Sequence, residues 1–296
     1  MKRRYEYVIV DVFTSTPFKG NPLAVIPDAQ GLSDVEMQAI AAEFNLSETV
    51  FLLPPLAQDA AVRVRIFTPR RELPFAGHPT IGAAAVFCDR SGAALPFVIE
   101  EEVGPIRIDA DGIGSRERIL WLTTPAVTFY ETVDREFCAT LLGLEPGDVR
   151  ADVPPTFASA GSSLLFICLR STEAVDRAQL QGQHLARALG SVDSVGTFIF
   201  ARKEPNSTVN FDVYSRMFAP QTGVPEDPAT GGATGPLAAY MMRYGLLPAK
   251  SPATFTSEQG SKMGRQSLLH VRTDPIEGTI KVGGSTVAIA RGELEV

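Results

Sequence analysis

Hydrophobic and polar positions alternate through much of the first half of the chain. The alternation is clearest at residues 5–13 and 62–66, and shorter apolar runs lie at residues 23–26 and 50–53. A period of two is typical of strands that have one buried face and one wet face. The first half is therefore predicted to consist mainly of sheet.

Two segments of the first half follow a helical pattern instead. Ser33 and Glu36 have the spacing of a capping box, and apolar residues follow at helical intervals. This pattern predicts a helix over residues 34–44. A second helix is predicted from Pro79 to about Asp89, because proline suits the first turn of a helix and the alanines after it favour helix.

The same signals predict the remaining elements. Strands are expected near residues 97–101, 105–109, 118–123, 156–160, 164–169, 195–201 and 208–214. Helices are expected at residues 134–142, at residues 173–189 and from the glycine-rich segment 223–236 to about Arg243. A terminal hairpin is expected to join residues 276–282 to residues 285–290 through Gly283-Gly284, a dipeptide that such turns favour.

The two halves of the chain share a local plan. Phe-Ala-Gly-His-Pro-Thr-Ile-Gly-Ala at residues 75–83 and Asp-Pro-Ala-Thr-Gly-Gly-Ala-Thr-Gly at residues 227–235 each lead from an extended stretch into a small-residue helix. Helices of glycine and alanine have no outward polar face, so both are expected to be central and wrapped by sheet. We predict an α+β protein of two similar domains, residues 1–125 and 126–296, whose last strands are free to pack back on the first domain. A chance likeness between two glycine-rich turns is the alternative.

Composition narrows the class of protein. The 296 residues include 27 lysines and arginines against 34 acidic residues, a net charge of -7 that disfavours nucleic acid as a partner. The apolar stretch near the start is interrupted by Asp11, and no run approaches the roughly 18 apolar residues of a membrane span. Three scattered cysteines suit a reducing compartment. We therefore expect a cytoplasmic protein with no membrane partner.

Several common chemistries are excluded by missing motifs. Gly77 and Gly82 have phosphate-loop spacing, but alanines follow where lysine and serine or threonine are needed. There is no dinucleotide-binding G-x-G-x-x-G after the first strand and no G-x-S-x-G nucleophile elbow. The histidines, His78, His184 and His270, are isolated. A zinc site is therefore not expected, and the metal prediction is none.

Four polar residues embedded in apolar or glycine-rich sequence remain as candidates. Glu48, between a helix end and a buried strand, would act as a general acid and base if desolvated, or would be a solvated residue at a strand start. His78, at a helix N-terminus, would bind an anion or move a proton, or would be a capped core histidine. Asp227 would face His78 across a shared cleft, or would only cap its helix. Asn21 would contact a ligand, or would only form a turn.

These residues lie in segments that together resemble the phenazine-biosynthesis isomerase (PhzF-like) family. The matching segments are FTSTPFKGNPLAV, NLSETVF, FAGHPTIGAA, EDPATGGATGPLAAY, QGSKMGR and VGGSTVAIARGEL, in family order along nearly the whole chain. The resemblance implies the diaminopimelate-epimerase fold, two domains each with a curled, barrel-like sheet around a central helix, and the active site between them. It also implies a homodimer that needs no metal or organic cofactor. The characterised member isomerises trans-2,3-dihydro-3-hydroxyanthranilate.

By motif position, the resemblance places the family's proton-shuttling glutamate at Glu48, its histidine and the adjacent glycine at His78 and Gly77, and its aspartate at Asp227. Family members commonly have serine where this chain has Gly232. That change keeps a main-chain N–H but removes a hydroxyl, which puts the substrate range in question. Related racemases use two cysteines as acid and base, and none of the three cysteines here lies in a comparable position.

The expected activity is acid/base isomerisation of a small, possibly cyclic, amino carboxylate. Glu48 would carry the proton, while His78 and Asp227 orient the substrate. Backbone N–H groups of Gly77, Gly231 and Gly232, together with Asn21, would bind the substrate carboxylate or the charge that develops on it. A non-catalytic anion-binding protein and an epimerase or lyase that acts on a related carboxylate are the alternatives.

Overall fold

The computed structural model describes residues 3–112, 118–182, 194–204, 209 and 211–296. The helices of this part are α1 Asp34–Phe44, α2 Gly77–Ser91, α3 Arg135–Leu142, α4 Thr172–Arg177 and α5 Gly231–Arg243. The strands are β1 Arg4–Val12, β2 Asn21–Ile26, β3 Glu48–Leu53, β4 Val62–Phe67, β5 Glu72–Leu73, β6 Phe97–Glu101, β7 Gly104–Asp111, β8 Ile119–Thr123, β9 Thr128–Thr132, β10 Thr156–Ser159, β11 Ser163–Cys168, β12 Ser194–Arg202, β13 Val213–Ala219, β14 Val224–Asp227, β15 Ala253–Gln259, β16 Ser267–Asp274, β17 Thr279–Gly284 and β18 Thr286–Glu295.

The strands form one long curled sheet around two helices. Around α2, β18 pairs with β1, β1 with β2, β2 with β3 in parallel, β3 with β4, β4 with β6 in parallel, and β6 with β7 and β7 with β8. Around α5, the order is β9, β10, β11, β12, β13, β15, β16 and β17. Pairing of β8 with β17 joins the two groups. The fold is thus α+β, as predicted.

The two central helices are buried as their composition predicts. Ala83 and Ala84 of α2 are fully buried in a core with β1, β2, β4 and β8 residues, and Ala233 and Ala238 of α5 are fully buried in a second core. Small side chains let strands approach a helix closely from all sides, and apolar burial then stabilises the arrangement. The division into domains at residue 125 stays a prediction.

Helix predictions succeed where capping signals are strong. Helix α1 has the predicted bounds and a complete capping box between Ser33 and Glu36, and α3 ends at Gly143 with φ 63. Helix α2 begins earlier than predicted, at Gly77. The helix predicted over 173–189 is wrong in its middle, because α4 ends at Arg177 and the next residues leave the helix. Residues 183–189, including His184, lie outside the described residues.

The predicted terminal hairpin is wrong. Strand β17 pairs with β16 and β8, whereas β18 pairs with β1, so Gly283-Gly284 marks a crossing between strand groups. A Cβ on Gly283 would lie 2.5 Å from the Trp121 ring, and one on Gly284 would lie 2.3 Å from the Phe13 ring. These glycines therefore permit close packing. Because glycine is also typical of turns, the sequence pattern was the same as that of a hairpin turn.

Other strands differ in position or were not predicted. The strand expected at residues 208–214 begins only at Val213, and residues 208 and 210 lie outside the described residues. Strands β5, β9, β14, β15 and β16 were not predicted. The hairpin near the end joins β16 to β17, where the Asp274 carboxylate accepts hydrogen bonds from the N–H groups of Ile276 and Glu277.

Candidate active site

The N-termini of α2 and α5 meet at the centre of the molecule. A Cβ built on Gly77 would lie 2.3 Å from the carbonyl carbon of Gly231 and 2.4 Å from the nitrogen of Gly232. A Cβ on Gly231 would lie 2.8 Å from the Phe13 ring. Only glycine at these two positions lets the helix ends approach so closely, since any larger residue would overlap backbone. Both glycine-rich turns are thereby brought together, as the shared local plan predicted.

The two central helices lack the side-chain caps that the outer helices have. Helices α1, α3 and α4 are capped by Ser33, Asp134 and Ser171. Ala76 and Thr230, at the equivalent positions of α2 and α5, make no side-chain capping bond. First-turn N–H groups have no partner within their own helix, and the positive end of the helix dipole favours an anion there. An anionic ligand between the two ends would satisfy both.

Glu48 is the first residue of β3 and points at His78. Its side chain is 14% exposed and that of His78 is 3% exposed, and Glu48 Oε2 lies 3.3 Å from His78 Nε2. The two atoms are not aligned for a hydrogen bond, and neither has another partner among the described residues. Both are therefore available to a ligand.

Asn21 connects His78 to Asp227 and Ala229. The Asn21 Nδ2 atom lies 2.8 Å from Asp227 Oδ1, 2.9 Å from the Ala229 carbonyl oxygen and 3.1 Å from His78 Nδ1. Asp227 and Ala229 present acceptors, so this end of the amide is the donor, and its two hydrogens cannot serve all three contacts at once. The ring nitrogen of His78 that faces Glu48 is Nε2.

Asp227 is held by several donors. Its Oδ2 accepts from Thr230 Oγ1 at 2.5 Å and its Oδ1 from Asn21, while its carbonyl oxygen accepts from Gln259 Nε2 at 2.7 Å. Burial raises the pKa of Asp227 to about 6, against the lowering effect of hydrogen bonds from Thr230, Asn21 and Ser47. Asp227 is thus buried but well partnered.

Burial acts differently on the two groups that face each other. Desolvation, with a further contribution from the Asp227 charge, raises the pKa of Glu48 well above 4.5. Desolvation lowers the pKa of His78 to about 3, so His78 is neutral near pH 7 and forms no ion pair with Glu48. Burial thus favours the uncharged form of both groups.

The cavity beside these groups is lined mainly by apolar residues. Every predicted site residue except Asn21 lines it, namely Glu48, Gly77, His78, Asp227, Gly231 and Gly232. The rest of the lining is Thr68, Leu73, Phe75, Ala76, Ser162, Leu164, Met217, Ala219, Thr222, Val224 and Thr230. None of these described lining residues is a lysine or an arginine. A carboxylate would therefore be held by backbone N–H groups and hydroxyls. Asn21 lies behind the cavity and orients His78, so the prediction that it contacts substrate stays untested.

The cysteines lie away from this cavity. Cys88, Cys138 and Cys168 are buried and none lines it. Burial raises the pKa values of Cys138 and Cys168 to about 12. Thiols with such pKa values stay protonated near neutral pH and are not available as bases, which argues against a two-thiol racemase.

No group of three or more His, Cys, Asp or Glu side chains in the described part of the chain has an arrangement that would hold a metal ion. The Nδ1 atom of His270, on β16, lies 3.1 Å from Thr256 Oγ1, and His270 does not line the cavity. In the same described ranges no helix has the length and hydropathy that crossing a membrane requires.

Two residues of the site were not singled out from the sequence. Gln259 Oε1 accepts from the Thr230 N–H at 3.1 Å, and its Nε2 donates to Thr230 Oγ1 at 3.0 Å. Gln259 thereby holds the turn that carries Asp227 and the start of α5. Thr230 and Gln259 both lie within segments that match the family. No spacing rule, however, connects two positions so far apart in the chain.

Comparison with known proteins agrees with the motifs. The family described as "Phenazine biosynthesis-like protein" matches residues 10–292. An uncharacterised isomerase from Mesorhizobium japonicum is 37% identical over 97% of this chain and 98% of its own length. The trans-2,3-dihydro-3-hydroxyanthranilate isomerase of Pseudomonas aeruginosa is 32% identical, over 97% of this chain and 98% of the relative. A solved structure named as a predicted epimerase from Pseudomonas aeruginosa has TM-score 0.83 and 32% identity, covering 98% of this chain and 99% of that chain.

Proposed function

This chain belongs to the phenazine biosynthesis-like protein family, and we propose that it is an isomerase that moves a proton within a small carboxylate by acid/base chemistry. The observation that carries the proposal is the pair of unpartnered atoms, Glu48 Oε2 and His78 Nε2, 3.3 Å apart between two uncapped helix ends. The names of the relatives support an isomerase. A cyclic amino carboxylate is the substrate class we favour, because the lining is apolar beyond the helix ends.

In the proposed reaction, the Glu48 carboxylate removes a proton from a carbon activated by the substrate's unsaturation or carboxylate. The electron pair moves into an enol-like system, and protonated Glu48 then returns the proton to another carbon. Composition is unchanged. A desolvated carboxylate is a stronger base than a solvated one, and a positioned general base contributes about 10² to 10⁴ in rate.

The neighbouring groups serve charge and orientation. His78 is neutral, and its Nε2 atom forms a hydrogen bond with the substrate beside Glu48. The N–H groups of Gly77, Gly231 and Gly232 face the charge that develops on the substrate, where preorganised donors stabilise it most. Asp227, held by Asn21 and Thr230, orients polar groups of the substrate and exchanges protons with them.

Three further properties belong to the proposal. We expect activity without a metal or organic cofactor, a cytoplasmic location, and a homodimer. Turnover that persists after dialysis against a chelator supports the first, and light scattering at assay concentration decides the last.

The proposal is tested in deuterium oxide. Candidate cyclic and amino carboxylates are incubated with the enzyme and followed by NMR and mass spectrometry. One deuteron is expected at carbon in a product of otherwise unchanged composition, and Glu48→Gln is expected to abolish its incorporation. Glu43→Gln, at an exposed position of α1, is the matched control.

Two results would contradict the isomerase. A product of changed composition would indicate a lyase or hydrolase. Absence of exchange with every ligand that measurably binds would indicate a binding protein without turnover.

A further inference from the structure

Glu101, the last residue of β6, is a buried carboxyl group outside the cavity. It is 5% exposed, and its Oε2 has no hydrogen-bond partner among the described residues. It is absent from the cavity lining and takes no part in the proposed reaction. A buried carboxyl with one unpartnered oxygen is costly unless it is neutral.

Its other oxygen contacts a hydroxyl that has a second partner. Thr80 Oγ1 lies 2.6 Å from Glu101 Oε1 and 2.8 Å from the Ala76 carbonyl oxygen. A threonine hydroxyl has one hydrogen, so it can donate to only one of these acceptors. Both contacts are hydrogen bonds only if Glu101 carries a proton on Oε1 and donates it to Thr80, which then donates to Ala76.

This chain of bonds ends at the active site. Ala76 lines the cavity and directly precedes Gly77 and His78 at the start of α2. Helix α2 has no side-chain cap, so its first turn depends on contacts of this kind for its position. The Thr80 N–H also donates to the Ala76 carbonyl oxygen, at 3.1 Å. The hydrogen bond from the Thr80 hydroxyl is therefore a second restraint on the same carbonyl group.

We propose that Glu101 is a positioning residue, a neutral carboxylic acid that holds the first turn of α2 through Thr80 and Ala76 and releases it when ionised. The catalytic part of this inference rests on the proposed function, whereas the hydrogen-bond relay does not. Burial raises the pKa of Glu101 to about 8. Ionisation therefore falls in a mildly alkaline range.

Several other charged groups share a surface pocket with Glu101. Those sharing its outer pocket are Asp34, Arg63, Arg65, Glu72, Glu100 and Glu102. Arg65 is paired with Asp34 and Glu72. The Glu100 carboxylate accepts hydrogen bonds from the N–H groups of Leu56 and Ala57. From α2, the hydroxyl of Thr80 is the group that contacts Glu101.

The relay is tested by NMR without a substrate. Amide resonances of Gly77 and His78 are followed from pH 6 to pH 10 in the full-length wild type and in Glu101→Gln, whose amide keeps a donor for Thr80 but does not ionise. The wild type is expected to show a transition with a midpoint near 8, and Glu101→Gln to lack it. Thr80→Val, which removes the relaying hydroxyl, should also lack it at these amides.

The catalytic part is tested by the pH profile of kcat/KM. The wild type is expected to lose about tenfold above its alkaline transition, the equivalent of one hydrogen bond, and Glu101→Gln to lack that loss. If Glu101 contributed only to stability, the pH profiles of kcat/KM would be alike in the wild type and in Glu101→Gln. That result would overturn the positioning role.

The relay itself is overturned if the Gly77 and His78 amides titrate identically in Glu101→Gln. If a variant does not fold, the carboxyl carbon of Glu101 is titrated directly in the wild type. A pKa at or below the ordinary 4.5 contradicts the proposal, and one near 8 supports it. These NMR results stand even if no isomerase substrate is found, so failure of the relay and failure of the proposed function are distinguishable.

Discussion

The N-termini of α2 and α5 are alike in backbone but opposite in how their acidic partners are held. Both helices begin with glycine and both lack a side-chain cap. Beside α2, Glu48 has an unpartnered buried oxygen. Beside α5, Asp227 accepts hydrogen bonds from Asn21 and Thr230. Under the proposed function, the group that exchanges a proton with carbon is left unpaired, whereas the group that orients the substrate is paired.

Glu48→Gln tests this contrast with the largest expected effect. The variant should lower kcat by about 10² to 10⁴ because the general base is lost, while substrate affinity changes little. Steady-state kinetics and ligand titration measure the two quantities separately. Equal losses in affinity and kcat would mean that Glu48 only binds substrate.

A matched pair of glycine variants tests the meeting of the helix ends. Gly77→Ala places a Cβ 2.3 Å from backbone of Gly231, so we expect a loss of about 1–3 kcal/mol in unfolding free energy and a large loss of activity. Gly232→Ala places its Cβ at an ordinary 3.4 Å from the Gly77 nitrogen, and stability should change by less than about 1 kcal/mol. Urea unfolding measures both variants.

If Gly77→Ala were as stable and active as Gly232→Ala, the close contact of the helix ends would be unimportant. Gly232→Ser is the natural extension, because serine is common in the family at this position and the structure has room for its Cβ. A change in substrate preference without loss of stability is expected.

Asp227→Asn should act mainly on the second helix end. The amide nitrogen of the variant would replace one of the two carboxylate oxygens. At the position of Oδ2 it would remove the acceptor of the Thr230 hydroxyl, and at the position of Oδ1 it would place a second donor against the Asn21 amide. We expect a loss of about 1–3 kcal/mol in unfolding free energy, together with reduced activity. Chemical denaturation against Asp59→Asn, at an exposed turn position, provides the comparison. Equal stability of the two variants would contradict the account of Asp227 as a fixed group.

The smallest expected effect is on the pH dependence of stability. The folded pKa of Glu48 is raised above 4.5, so its contribution to stability is complete below that value and is lost as pH rises toward the folded pKa. Unfolding free energy of the wild type should therefore fall more steeply from pH 5 to pH 8 than that of Glu48→Gln. Parallel curves would indicate that Glu48 is solvated.

The sequence and the structure agree best where a local pattern has one physical cause. Ser33 and Glu36 define the start of α1 because a capping box satisfies helix N–H groups. The placement of Glu48, His78 and Asp227 in one cavity follows from their motifs. The roles assigned to these residues stay proposals.

A sequence pattern misleads where the same residues suit two different structures. Gly283-Gly284 reads as a turn, yet these residues only make room for Trp121 and Phe13. Long-range contacts have no local signal at all. The bonds from Gln259 to Asp227 and Thr230, and the relay from Glu101 to Ala76, emerge only when distant strands are paired.

The central claim is that Glu48 is the desolvated, proton-carrying carboxyl and Asp227 the fixed one. It is tested most directly by titrating the Glu48 carboxyl carbon by NMR in the wild type and in Asp227→Asn. Since burial is the larger cause and the Asp227 charge the smaller, the pKa of Glu48 should lie well above 4.5 in both proteins and be lower in the variant. A Glu48 pKa at or below 4.5 in both would contradict the account.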